Sequence, residues 1–161
     1  MNQSTDRLRD VLIVGSGAAG GAAAAHLSAA GHDVLVLERD PEERIKPCGG
    51  GMAASVQQWF PFSLEPAVEQ VIRRVDFSWC LEDPVVAELP GEAPFWIVRR
   101  ERLDRLLAEQ AIQAGAEHMV DVEVSDVSRH GDNWEVMAKD GRRWRSRAVV
   151  IADGSSSPWP Q

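Results

Sequence analysis

Three glycines and one glutamate within the first forty residues have the types and the spacing to hold a diphosphate and a sugar. Gly15, Gly17 and Gly20 form a GxGxxG turn directly after an apolar run, and Glu38 ends a second apolar run 23 residues after Gly15. Glycines allow a tight turn and a close approach of the main chain to phosphates, and an acid about 20 residues further on can bind a ribose diol. The pattern predicts a dinucleotide site whose acid disfavours a 2′-phosphate, and therefore NADP.

The segment between the turn and the acid is typical of a helix that connects two parallel strands. Residues 18–30 contain eight alanines, which propagate a helix well, and Gly31 is a natural stop. Ala18 and Ala19 would open this helix, where free N–H groups and the positive end of the helix dipole attract anions. We therefore predict that the main chain at Ala18 and Ala19 contributes to the phosphate site.

Composition restricts the class of protein. The chain has 161 residues, 44% of them apolar and 26% charged, and a net charge of −8, so we expect one domain over residues 1–161 and no nucleic-acid partner. The polar start predicts no signal peptide, and no apolar run approaches the ~18 residues of a membrane span, so we expect a cytoplasmic protein. The two cysteines form no metal-type cluster, and we expect no metal site.

The rest of the chain predicts an α/β fold. Its predicted elements include an amphipathic helix at 101–114, three antiparallel strands at 120–127, 134–138 and 142–147, and a buried strand at 148–152. Together they indicate a Rossmann-like three-layer domain with a parallel sheet and a three-stranded antiparallel meander. Ligands of such sheets bind at the carboxyl ends of the strands. Gly15, Glu38 and Asp153 all follow strands, and we expect them to converge.

Four motifs together resemble a known family. They are the segment VLIVGSGAAG…VLVLER, the helix start RERLD at 100–104, the strand AVVIADGSSS at 148–157, and PCGGG at 47–51. In this order they resemble the FAD-dependent oxidoreductases with a glutathione-reductase-like nucleotide fold, in particular the aromatic-hydroxylase-like branch. PCGGG is similar to a segment of the geranylgeranyl reductase family within that branch.

The resemblance implies FAD as the cofactor and a role for further residues. Beyond the glycine turn and Glu38, the implied cofactor-binding residues are Arg39 beside the ribose, Cys48 and Gly49 near the flavin ring, Arg100 from the start of its helix, Val124 through its main chain toward the adenine, and Asp153 and Gly154 near the pyrophosphate. No catalytic residue is predicted.

The resemblance also implies an activity and several partners. Geranylgeranyl reductases reduce C=C bonds of prenyl chains with reduced FAD, which implies an isoprenoid substrate, NADPH or reduced ferredoxin as electron donor, and peripheral membrane contact. Their chains are longer and carry a later GDAAG-type segment, so we expect this chain to be a fragment, one half of a split enzyme whose other half is a separate chain, or a remnant. The alternatives are a flavin monooxygenase or halogenase, and a non-catalytic nucleotide-binding module.

Overall fold

The computed structural model describes residues 7–41, 47–92, 94–155 and 157–159. The strands are β1 (Leu8–Val14), β2 (Val34–Leu37), β3 (Gly51–Ala53), β4 (Val68–Ile72), β5 (Arg74–Trp79), β6 (Glu82–Glu88), β7 (Phe95–Val98), β8 (Glu117–Met119), β9 (Val124–His130), β10 (Asn133–Ala138) and β11 (Arg143–Ile151), and the α-helices are α1 (Ala18–Ala29) and α2 (Arg100–Gln113). The chain divides into a first unit, residues 1–44 and 107–161, and a second unit, residues 45–106.

The first unit is built on one six-stranded sheet in the order β8-β2-β1-β11-β10-β9. β8, β2, β1 and β11 run parallel, and β10 and β9 continue the sheet in antiparallel fashion. Its core contains Leu12, Leu35, Val136 and Trp144 in a single buried cluster. This cluster packs side chains of β1, β2, β11 and β10 together. α1 packs on β1 and β2, and the predicted α/β class is confirmed.

The last strand corrects the prediction of two separate strands at 142–147 and 148–152. β11 is one continuous strand of nine residues. Arg145 pairs with Glu135 of β10 and also with Leu8 of β1, so the first half of β11 belongs to both the antiparallel and the parallel parts. The change from alternating to continuous apolar residues suggested a break. The structure has one extended backbone here, and the burial predicted for 148–152 is also wrong, because Ala148 and Ile151 are exposed and Val149 is only partly buried against the core cluster.

The strand predicted at 120–127 was also placed wrongly. The chain forms β8 at the parallel edge of the sheet, where Leu35 pairs with Glu117, and β9 begins only at Val124. Between them Asp121 has a φ of +56°, which ends extended structure. A three-residue edge strand carries too little periodicity to be recognised from the sequence.

The second unit contains a three-stranded antiparallel sheet, β3-β7-β4, and a separate hairpin of β5 and β6. In the hairpin Phe77 pairs with Val85, and Asp76 pairs with Val86. Paired residues share a face, so Phe77 and Val85 lie on an apolar face, whereas Asp76, ion-paired to Arg74, lies on the opposite one. Phe77 and Val85 are about 60% exposed, and such an apolar face is typical of a surface that other polypeptide covers.

Neither α-helix, within the described ranges, has the length and hydropathy required to cross a bilayer.

Candidate functional site: the glycine turn

The turn after β1 leaves no room for a side chain at Gly15. Gly15 has a φ of +94°, and its N–H donates to the Leu37 carbonyl at 2.8 Å. A Cβ on Gly15 would lie 2.6 Å from the Ala152 carbonyl oxygen and 2.9 Å from the Asp153 Cα. Because the turn touches the ends of β2 and β11, glycine is required here both by conformation and by the close approach.

The start of α1 offers its N–H groups without a side-chain cap. Gly17 is the N-cap residue, with φ −67° and ψ −172°, and it makes no side-chain cap hydrogen bond in the described structure. Ala18 and Ala19 follow as the first helical residues. The N–H groups of the first turn of a helix have no partner within the helix and carry a partial positive charge. This arrangement can bind a diphosphate through main chain alone.

Glu38 lies at the same edge of the sheet, and its carboxylate points to the turn. Only 6% of the residue is exposed. Its Oε2 accepts hydrogen bonds from the Ser16 amide at 2.7 Å and from the Ser16 hydroxyl at 3.1 Å, and its Oε1 accepts one from the Asp40 amide at 2.9 Å. The main chain of Glu38 is held as well, because its N–H donates to the Met119 carbonyl and its carbonyl accepts from the Val122 N–H.

The structure brings part of the predicted set together at this edge. Gly15, Glu38 and Asp153 lie around the turn, and Gly154 follows with a φ of +95°. Val124 begins β9 opposite Ala138, two residues after Val122, whose N–H donates to the Glu38 carbonyl. The binding roles predicted for these residues stay predictions.

Arg39 follows Glu38 in the chain. The Glu38 carboxylate is bonded to Ser16 of the turn, whereas the Arg39 side chain pairs with Asp40. Its guanidinium is 64% exposed and pairs with Asp40, with Nε 3.3 Å from Oδ1. An exposed pair of this kind contributes little to stability. Its predicted contact with the ribose therefore stays a prediction.

The residues of the turn fit the ADP half of FAD. Bare main chain at Gly15 and Gly17, an uncapped helix start and a buried carboxylate are the three features that a pyrophosphate and its ribose require. No group of three or more His, Cys, Asp or Glu residues in the described ranges could hold a metal ion.

Ser16 is the residue of this site that the sequence did not reveal. It occupies a variable position of the GxGxxG pattern, where the spacing of the glycines says nothing of its side chain. It is 7% exposed and supplies two of the hydrogen bonds to Glu38. A serine beside a glycine is an ordinary turn residue, so only the fold reveals this role.

A cysteine, an arginine and an aspartate are grouped in the second unit. Arg100 makes a bidentate ion pair with Asp104, with both N–O distances 3.1 Å, and the Asp104 side chain is largely buried. The exposed Cys48 accepts a hydrogen bond from the Gly50 amide at 3.4 Å. That bond, followed by one from the Arg100 side chain, lowers the pKa of the Cys48 thiol. The predicted roles of Cys48, Gly49 and Arg100 toward the flavin stay predictions.

Cys48 is expected to react with iodoacetamide at lower pH than an ordinary thiol. Its lowered pKa means that more thiolate is present at pH 7, and the rate falls only as the pH drops through that lowered pKa. In Arg100→Gln the rate profile of Cys48 should move to higher pH, as mass spectrometry of its peptide would report. Cys80, which is also exposed, is the internal control. An equal shift at both cysteines would contradict the expectation.

Known proteins resemble this chain in sequence. The sequence model of the family described as "DAO: FAD dependent oxidoreductase" matches residues 10–78. The chain is 32% identical over 159 residues to the probable electron transfer flavoprotein-quinone oxidoreductase YdiS of Escherichia coli K12, covering 92% of this chain and 37% of that protein. It is 31% identical over 162 residues to digeranylgeranylglycerophospholipid reductase 1 of Methanothermobacter thermautotrophicus, covering 92% and 39%.

Solved structures show the same fold. A geranylgeranyl bacteriochlorophyll reductase-like protein from Thermoplasma acidophilum has a TM-score of 0.75 at 23% identity, over 92% of this chain and 40% of its own. The halogenase PltM in complex with phloroglucinol and FAD has a TM-score of 0.76 at 21% identity, over 93% and 35%.

The chain thus has the Rossmann-type fold of FAD-dependent oxidoreductases, and its residues 10–78 match the sequence model of that family. Its homologues include geranylgeranyl reductase-like proteins, which it matches over their N-terminal part. It spans about two-fifths of the length of the curated relatives named here.

Proposed function

We propose that this chain binds FAD by its ADP half at the glycine turn, with the diphosphate on the main chain of Gly15, Gly17 and the start of α1. Glu38 holds the adenosine ribose. The observation that carries the proposal is the buried Glu38 carboxylate, which is directed to the turn at the carboxyl ends of the parallel strands. A carboxylate in this position binds hydroxyl donors well, because hydrogen bonds to charged groups are the stronger ones.

We propose further that the chain is the FAD-binding part of a geranylgeranyl reductase-like enzyme, which reduces prenyl C=C bonds. FAD, when bound, supplies the hydride chemistry, and the protein supplies binding and orientation. Support comes from PCGGG at 47–51 and from the 31% identity to a digeranylgeranylglycerophospholipid reductase. The proposed substrate is an isoprenoid at a membrane surface, and the proposed electron donor is NADPH or reduced ferredoxin.

We also propose that further polypeptide completes the flavin site, either in the same protein or on a separate chain. The relatives are about two and a half times as long as their matched part. The exposed apolar face of the β5–β6 hairpin, with Phe77 and Val85, supports a covering segment.

A flavin monooxygenase or halogenase is the second candidate, and the similarity in fold to a halogenase favours it. The two reactions differ in their products. In a protein that contains this chain and the remainder of the flavin site, saturation of a prenyl substrate without oxygen uptake supports the reductase. Oxygen uptake with NADPH and no alkene reduction supports the second candidate.

Replacing Glu38 tests the nucleotide site directly. Glu38→Ala removes the acceptor of the ribose hydroxyls and is expected to weaken FAD and ADP binding by about 1–3 kcal/mol, measured by isothermal titration calorimetry. Glu135→Ala is the matched control, because the Glu135 carboxylate accepts a hydrogen bond from Arg143 on β11, an ion pair that is partly exposed and contributes little to stability.

The outcomes separate the candidates for the chain itself. Unchanged affinity in folded Glu38→Ala would place the ribose elsewhere and overturn the proposed site. If ADP binds as tightly as FAD to the wild-type chain, this chain by itself makes no contacts to the flavin ring. If the two affinities stay equal in a protein that also contains the remainder of the flavin site, the chain is a non-catalytic nucleotide-binding module.

A further inference from the structure

The turn between β8 and β9 holds the main chain of Glu38 on both sides. The Glu38 N–H donates to the Met119 carbonyl at 2.8 Å, and the Glu38 carbonyl accepts from the Val122 N–H at 2.8 Å. Val122 is buried in the same core cluster as Leu37, the residue before Glu38. The backbone from which the Glu38 carboxylate extends is therefore held by a turn that is itself packed into the core.

This turn contains one residue more than regular strand pairing allows. In a parallel pair, the residue that accepts a neighbour's N–H and the residue that donates to the same neighbour's carbonyl are two positions apart. Met119 and Val122 are three positions apart. The irregularity resembles a β-bulge, a feature that commonly redirects side chains beside binding sites.

Asp121 accommodates the additional residue through its backbone. Its φ is +56°, in the left-handed region, and its side chain is exposed. Glycine, asparagine and aspartate adopt such a φ more readily than other residues, whereas a β-branched residue there is an outlier. The residue type at this position therefore controls whether the Val122 amide can reach the Glu38 carbonyl.

We infer that Asp121 is a positioning residue of the ribose site, because its left-handed backbone lets the turn hold Glu38 where the carboxylate meets the ribose hydroxyls. This inference rests on the proposed function. The role belongs to the backbone conformation of Asp121 and not to its carboxylate. Asp121 then contributes to the affinity for the ribose diol and not to the affinity for the diphosphate.

The test compares ADP with 2′,3′-dideoxy-ADP, which lacks both ribose hydroxyls, by calorimetry on the full chain. The dissociation constant of the dideoxy nucleotide divided by that of ADP is the diol preference. Asp121→Val is expected to lower the diol preference about three- to tenfold, because the turn no longer holds Glu38 in place. Asp121→Gly and Asp121→Asn accept a positive φ and should keep the wild-type diol preference.

Two further variants distinguish positioning from a general loss of structure. Asp121→Ala is less hindered than Asp121→Val, so it is expected to lower the diol preference by a smaller factor, and it replaces Asp121→Val if that variant does not fold. Asp132→Val is the matched control, because Asp132 is an exposed aspartate in the turn between β9 and β10. Its diol preference should equal that of the wild type.

The outcomes separate this inference from the function on which it rests. An unchanged diol preference in the folded valine or alanine variant of Asp121 overturns the inference and leaves the ribose site intact. An equal fall in Asp121→Gly and Asp121→Asn also overturns it, because the carboxylate would then be responsible. Failure of the wild type to bind ADP, or to prefer it over the dideoxy nucleotide, overturns the proposed function itself.

Discussion

Gly20→Ala is expected to lower the free energy of unfolding by about 3 kcal/mol, because a Cβ has no place at this position. It would collide with the carbonyl oxygen of Gly15 and lie 3.3 Å from the Ala152 side chain. The carbonyl is main chain in a turn that is itself bonded to Leu37, so it cannot move aside as a flexible side chain would. Urea denaturation followed by circular dichroism measures the change.

Gly49→Ala is the matched control for this experiment. A Cβ on Gly49 would meet no atom within 4 Å, so its free energy of unfolding should stay close to that of the wild type. If Gly20→Ala unfolded at the same urea concentration as Gly49→Ala, α1 would not pack against the turn as closely as the structure shows.

Gly17→Val is expected to leave the chain folded and to abolish FAD and ADP binding, with a loss of more than about a hundredfold. The backbone of Gly17, with φ −67° and ψ −172°, is in the extended region that branched residues adopt. A branched side chain at the N-cap would stand where the diphosphate must approach the helix start. Flavin fluorescence and calorimetry measure binding, and circular dichroism verifies the fold.

Gly17→Ala provides the graded control, with a smaller group at the same position and a smaller expected loss. Retention of wild-type FAD affinity by folded Gly17→Val would show that the diphosphate does not rest on this main chain. Together, Gly20→Ala and Gly17→Val distinguish a glycine that packing requires from a glycine that the ligand requires.

The motif that carries the proposed nucleotide site is local, and for that reason its strands, turn and helix could be predicted from the sequence. An apolar strand, a glycine turn and an alanine helix are each encoded within a few residues, so β1, Gly15, α1 and β2 lie where the pattern placed them. The convergence of Gly15, Glu38 and Asp153 also followed, because the carboxyl ends of parallel strands meet at one edge of a sheet.

Other features depend on contacts between segments far apart in the chain. β11 is one strand because it pairs with β1, more than a hundred residues away in the sequence, and with β10 at once. No periodicity within residues 142–152 contains that information.

The sequence by itself thus determined where β1, the glycine turn, α1 and β2 lie, since backbone conformation and strand alternation are encoded in neighbouring residues. Only the tertiary structure decided how the side chains meet. The hydrogen bonds of Ser16 to Glu38, the grouping of Cys48 with Arg100, and the exposed apolar face of the β5–β6 hairpin arise from distances across the fold. Such distances depend on how whole elements pack, which no short stretch of sequence specifies.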